Sequence, residues 1–171
     1  KGLDFYDFRK KQFQHTILRT PTNKIISDDA VYAVMNDKKG SLWVGTYRGG
    51  LLHYNPSQNI FDKVYVHDEQ NVSSLSSNAV TCLLTDSKDN IWVGTALGLN
   101  KKENGQEYFI RFLPNLSDSA SISGQYINCI YEDTRGRMWI GTRDHGLSLF
   151  DGHSFLNFDT DHGLPGNSVY G

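Results

Sequence analysis

Cysteine, net charge and long apolar runs are all scarce in this chain, and each scarcity removes a class of protein. Two cysteines in 171 residues cannot by themselves staple a disulfide framework or build a metal cage. Seventeen Lys and Arg against nineteen Asp and Glu leave a formal charge of -2. So small a balance offers no electrostatic footprint for nucleic acid or an anionic membrane. No stretch approaches the roughly 18 apolar residues of a membrane helix, and the opening KGLDFYDFRK is not a signal peptide. No long window shows a helical 3.6 period, so almost no helix is expected. Catalytic signatures are missing too. His15, His53, His67, His145, His153 and His162 are scattered, with no H-E-x-x-H, C-x-x-C, H-x-H, G-x-S-x-G or P-loop. What is present is 38% hydrophobic residues, 12% aromatics and 16 Gly. That is the composition of a foldable β-type domain.

The chain repeats itself. Residues 30–46 (AVYAVMNDKKGSLWVGT), 79–95 (AVTCLLTDSKDNIWVGT) and 126–142 (YINCIYEDTRGRMWIGT) read alike. Asp37, Asp86 and Asp133 each stand six positions before a Trp, and Trp43, Trp92 and Trp139 each open W-[VI]-G-T. Gly50-Leu51, Gly98-Leu99 and Gly146-Leu147 follow at a constant step of 48, and the same register run backwards lands on Gly2-Leu3. A step of 48 gives about 3.6 units in 171 residues, in the range of propeller blades. The fold expected is an all-β partial propeller. It has three complete four-stranded blades (29–66, 79–113 and 126–159), a half blade at 1–18, and the first strand of another at 167–171.

Within a unit, an alternating strand such as Val31–Met35 leads into a turn such as Asp37-Lys38-Lys39-Gly40. There the Asp carboxylate can accept from amides downstream and Gly takes a positive φ. L-W-V-G-T, a strand after Gly-Leu, and a fourth strand at Phe61–Val66, Tyr108–Phe112 or Phe155–Phe158 complete the unit, with Phe13–Leu18 as the equivalent in the leading half. The segments Asn71–Asn78 and Ser117–Gln125, rich in Ser, Asn and Asp, read as surface loops joining one unit to the next. Sheets stacked face to face need a large side chain in every seam. Trp43, Trp92 and Trp139 are assigned that structural role, with the Gly two residues later leaving room for a neighbour. Cys82 and Cys129 stand where the first unit has Ala33, so tight packing of small inner-strand residues is expected there, with a disulfide between neighbouring inner strands as the lesser alternative. Asp86-Ser87-Lys88-Asp89-Asn90 lacks the alternating carboxylates of a calcium loop; no metal or cofactor is expected.

The pattern D-x-x-G-x-x-W-[VI]-G-T-x-x-G-L, best seen from Asp133 to Leu147, resembles the two-component regulator propeller repeat. Gly163-Leu164-Pro165-Gly166-Asn167-Ser168-Val169 is its second signature. Two departures stand out. Asp89-Asn90 replaces the usual Gly in the second unit, where Asn90 is expected to take the left-handed conformation. The loop Ala96-Leu97 is one residue shorter than its counterparts. The resemblance implies an extracytoplasmic, periplasmic sensor segment of a hybrid histidine kinase, in rings of about seven blades. Some family members recognise oligosaccharides, and no kinase or receiver site can be read in these residues.

Recognition is expected where the repeats differ. The loop between second and third strands reads Tyr47-Arg48-Gly49, then Ala96-Leu97, then Arg143-Asp144-His145. Tyr47, Arg48, Arg143, Asp144 and His145, with Tyr126 entering from the neighbouring connection, are the candidate ligand-binding residues. Rings stack on apolar sugar faces while Arg and Asp meet hydroxyls or acidic groups. The expected ligand is an oligosaccharide bound without turnover; the alternative is a structural or interaction propeller segment. Because 3.6 units cannot close a ring, the expected partners are further blades of a longer polypeptide or a second protomer. Neither nucleic acid nor membrane is expected to touch these residues.

Overall fold

A computed structural model describes the backbone at Leu3–Asp7, at Gln12–Thr16, and over residues 30–58 and 60–171. The first two segments, β1 (Leu3–Asp7) and β2 (Gln12–Thr16), form a two-stranded antiparallel sheet. Gly2, Ile17, Leu18 and position 29 of the sequence-based boundaries lie outside the described residues. Three four-stranded antiparallel sheets follow, each built from consecutive strands. The first holds β3 (Val31–Asn36), β4 (Leu42–Thr46), β5 (Leu51–Asn55) and β6 (Ile60–Tyr65). The second holds β7 (Val80–Thr85), β8 (Ile91–Thr95), β9 (Gly98–Lys102) and β10 (Ile110–Phe112). The third holds β11 (Ile127–Glu132), β12 (Met138–Thr142), β13 (Leu147–Phe150) and β14 (Phe155–Phe158). Helix is limited to a 3-10 turn at Thr160–His162 among the described residues. The chain is therefore an all-β, partial propeller.

Each turn between the first two strands of a blade is held by its Asp. Asp86 Oδ1 accepts from the Lys88 and Asn90 amides at 2.9 and 2.8 Å, while Oδ2 accepts from Asn90 Nδ2 and Trp92 Nε1, both at 2.8 Å. Asp37 and Asp133 repeat the arrangement, each taking the indole N–H of its own Trp at 3.1 Å. One carboxylate thus closes the turn and fixes the ring that fills the seam. The residue with positive φ is Gly40, Asp89 and Gly136 in turn (82, 63 and 74°). This corrects the expectation for Asn90: the left-handed site is the third residue after the leading Asp, so Asp89 occupies it. Asn90 instead donates its side-chain amide to Asp86.

Between blades, Trp43 and Trp92 are 5% and 2% exposed. Trp43 packs with Leu75, Val80, Ile91, Val93 and Phe109, and Trp92 with Ile122, Ile127, Ile140, Phe150 and Phe155. Trp139 is only half-buried, because among the described residues no sheet follows β14 to cover that face. The glycines of W-x-G-T mark close approach. A Cβ at Gly45 would strike Val80, one at Gly94 would strike Cys82 Sγ and lie 2.8 Å from Ile127 Cγ2, and one at Gly141 would lie 2.8 Å from Val169 Cγ1. Each first strand carries a bulge, at Val31/Ala33, Val80/Cys82 and Ile127/Cys129, which shifts the side-chain alternation read from the sequence. Cys82 and Cys129 are both free thiols.

Two sequence-based expectations need correction. The segments read as surface loops also reach inward: Leu75 and Ile122 are 0% and 1% exposed and plug the two seams. Arg111 holds the first of these loops, its guanidinium donating to the carbonyls of Asn71, Ser74 and Leu75 at 2.7–2.9 Å. The expected strand at 167–171 is not formed. Val169 does take the place of the next blade's first residue, against Gly141 with its amide on the Thr142 carbonyl. A first strand pairs with its own second strand, as β11 does with β12, and among the described residues none stands beside Val169.

Candidate functional site

Strand direction sorts the loops onto two ends of the stack. The β4–β5, β8–β9 and β12–β13 loops and the connections between blades lie at one end. The Asp turns and the β5–β6, β9–β10 and β13–β14 turns lie at the other.

The sequence-predicted ligand residues all belong to the first end. Arg143, Asp144 and His145 are exposed on the β12–β13 loop. The Arg143 guanidinium lies 5.1 Å above the ring of Tyr126, and its amide donates to the Tyr126 carbonyl at 3.0 Å. His145 is fixed at its backbone by Thr142 Oγ1, at 3.0 Å, and its ring abuts Gly124. Tyr126, Arg143 and His145 thus share one rim. Tyr47 and Arg48 are exposed on the equivalent loop of the first blade. Tyr47 packs edge-on against Tyr32, ring centroids 5.5 Å apart, within its own blade. The two groups therefore occupy equivalent positions two blades apart.

Two clefts open at the opposite end. One, of about 470 Å³, lies between the second and third sheets beside Trp92, Phe112, Phe150 and His153. The other, of about 250 Å³, lies between the first and second sheets beside Trp43, His53, Lys63, Tyr65, Lys102 and Glu107. In it, Trp43 stacks on Tyr65 at 6.0 Å and meets the His53 ring at 4.7 Å with the planes tilted by 59°, and His53 Nδ1 meets Asp62 Oδ1. Glu107 Oε1 accepts from Lys63 Nζ at 2.7 Å and Oε2 from the Tyr65 hydroxyl at 2.6 Å. Burial alone would raise the Glu107 carboxyl, but these two hydrogen bonds and the Lys102 and Lys63 charges hold it below its usual range. Burial raises the Tyr65 hydroxyl, with Glu107 adding to the rise. Lys102, 7% exposed, sits with Nζ 5.9 Å from the rings of both Trp43 and Tyr65. Burial pulls its ammonium below the usual lysine range against the opposing pull of Glu107.

Sequence reasoning missed this cleft, because its residues come from two blades and, Asp37 and Trp43 apart, none belongs to the repeat signature. A signal existed in the repeat itself. Tyr54, Lys102 and Phe150 pair with the equivalent residues Leu42, Ile91 and Met138, so a lysine stands where the other units have aromatic rings. Among the described residues no cluster of three or more His, Cys, Asp or Glu is set to hold a metal.

Comparison with known proteins bears on this arrangement. Residues 25–48, 74–96 and 121–144 match the two component regulator propeller family; 25–29 lie outside the described residues. Among solved structures, the chain is similar to the extracellular domain of BT3049 from B. thetaiotaomicron, named for a hybrid two component system. The TM-score is 0.75 at 22% identity, over 85% of this chain and 20% of that one. A catalytically inactive virginiamycin B lyase from Staphylococcus aureus, with quinupristin, gives 0.64 at 16% identity, over 92% and 47%. This chain thus spans a fifth and about half of those two proteins, and the likeness is one of fold. No curated protein sequence matches it.

Proposed function

Since the chain carries three two component regulator propeller repeats, we propose that it is a segment of an extracytoplasmic, ligand-sensing propeller of a hybrid two-component kinase. In this reading it faces the periplasm and recognises an oligosaccharide without turning it over. One observation carries the non-catalytic part. Both oxygens of Asp37, Asp86 and Asp133 are engaged by their own turn and Trp, leaving none of these recurring carboxylates poised for acid–base work. Recognition then falls to side chains that differ between blades, among them Tyr126, Arg143 and His145 on one rim. A stacked ring with a guanidinium above it suits sugar faces and hydroxyls.

The test is calorimetry of the intact ectodomain with a panel of oligosaccharides. Arg143→Ala and His145→Ala should each weaken binding and leave the melting temperature unchanged. Unaltered affinity in both variants would refute the rim site. A second reading, a protein-interaction segment, draws on Tyr32 and Val34, 55% and 52% exposed on β3. It gains if no sugar binds and Tyr32→Ser abolishes a contact between protomers or domains.

A further inference from the structure

The two clefts at the Asp-turn end are repeats of one design, and the difference between them is informative. In both, the Trp of the second strand stacks on an aromatic of the fourth: Trp92 on Phe112 at 5.9 Å, Trp43 on Tyr65 at 6.0 Å. In the second cleft the next blade closes the seam with Phe150, 8% exposed and edge-on to Trp92 at 5.8 Å. In the first cleft the equivalent position is Lys102, buried to the same degree. Phe112 has become Tyr65, whose hydroxyl points at Glu107. Burying an ammonium in a seam that an aromatic ring can fill is unfavourable for stability unless the charge finds a close partner. Lys102 has none at hydrogen-bond distance among the described residues; its nearest carboxylate oxygen is Glu107 Oε1, at 3.9 Å.

The charges around it are lopsided. Asp37 is spent on its turn, Asp89 pairs with Lys38 at 3.0 Å, and Glu103 pairs with Lys101 at 2.9 Å. What faces the middle of the cleft is Lys39, Lys63 and Lys102, the first two near enough to lower the third, against Glu107 and, among the described residues, Asp62, which pairs with His53 and lies near Tyr65. Glu107 is 60% exposed and sits on the β9–β10 turn. Among the described residues its hydrogen bonds come from Lys63 Nζ and the Tyr65 hydroxyl, the groups an incoming anion would want.

We propose that the cleft between the first and second sheets is a binding site for an anionic group, carboxylate or sulfate, held by Lys102 Nζ, Lys63 Nζ and the Tyr65 hydroxyl. Glu107 stands in for that group in the free protein. When the ligand enters, its anion replaces the Glu107 carboxylate and the side chain turns out to solvent. The cavity of about 250 Å³ admits one such group on a small molecule or at the end of a longer one. This site is at the opposite end of the blades from the Arg143 rim and does not depend on it.

The experiment titrates the full chain with glucuronate, with glucose as its neutral match, and with inorganic sulfate. Thermal shift and heteronuclear NMR are read for wild type, Glu107→Gln and Lys102→Met. Glucuronate is expected to bind and glucose not. Glu107→Gln should bind about tenfold more tightly, because the internal competitor has lost its charge. Lys102→Met should lose binding while melting no lower than wild type, since the sister seam is filled by an apolar side chain. Sulfate binding as tightly as glucuronate would mark a free-anion site, and glucuronate alone a carboxylate-sugar site; either supports the proposal. The proposal is overturned if neither anion binds the wild type or Glu107→Gln. It is equally overturned if Lys102→Met melts well below wild type, which would make Lys102 a structural residue.

Discussion

Removing the Asp86 carboxylate should unfold the second blade more readily than almost any other single polar change. Asp86 is 5% exposed and accepts four hydrogen bonds. In Asp86→Ala, water can reach the Lys88 amide at the exposed turn. The Asn90 amide and the Trp92 indole N–H are buried and would be left without acceptors. Each such orphan costs about 1–3 kcal/mol, so the variant should lose about 4 kcal/mol. With a urea slope of about 2 kcal/mol/M, the midpoint falls by about 2 M. The carboxyl also links stability to pH. Burial raises it, but hydrogen bonds from Trp92, Asn90 and Lys88 outweigh that and hold it below the usual Asp range. The unfolded chain therefore binds more protons in mild acid. The stabilisation is complete above an ordinary Asp value near 3.9 and disappears as the pH falls through the lower folded value. Wild-type midpoints should drop as the pH falls below about 5, and Asp86→Ala should drop less over the same interval. A variant within about 1 kcal/mol of wild type, with an unchanged pH dependence, would refute the clamp as a source of stability.

Two pairs of variants probe the seams. Gly94→Ala should cost about 3 kcal/mol or more, since its Cβ collides with Cys82 and Ile127. Gly105→Ala meets nothing within 4 Å and should cost about 1 kcal/mol of left-handed strain; equal urea midpoints would mean the seam opens without resistance. Trp92→Ala should cost about 3–5 kcal/mol, and Trp139→Ala clearly less because that ring is half-buried. A Trp139 loss matching that of Trp92 in chemical denaturation would contradict the packing described.

The repeat made the scaffold readable because recurrence selects residues that every blade needs. The Asp before each turn and the Gly beneath the next inner strand follow from spacing and side-chain chemistry. Trp43 and Trp92 pack between sheets, while Trp139 is half-buried on a face that no described sheet covers. Less visible was that one carboxylate does two tasks: Asp and Trp flank a turn whose closure alone brings indole to oxygen. The placement of Asp89 was missed because two adjacent turn residues, Asp89 and Asn90, both tolerate positive φ, and only register separates them. Leu75 and Ile122 were hidden as single apolar residues within polar runs. For the candidate site, adjacency of Tyr126 and Arg143 followed from loop order, whereas Tyr47 found its partner in Tyr32. The Lys102 cleft was beyond a reading based on resemblance between units, since what defines it is a departure from that resemblance.

The Gly-to-inner-strand contact also has a meaning in time. Gly45 meets Val80, Gly94 meets Ile127 and Gly141 meets Val169, so each seam is closed by a residue 28 to 35 positions further along the chain. Every such contact joins a blade to the segment synthesised next. A ribosome adding about 5–20 residues per second therefore delivers the closing residue of a seam within a few seconds of its glycine. The nascent protein can be laid down like courses of brick, each setting against the last before the next arrives, with one unfinished face exposed at any moment.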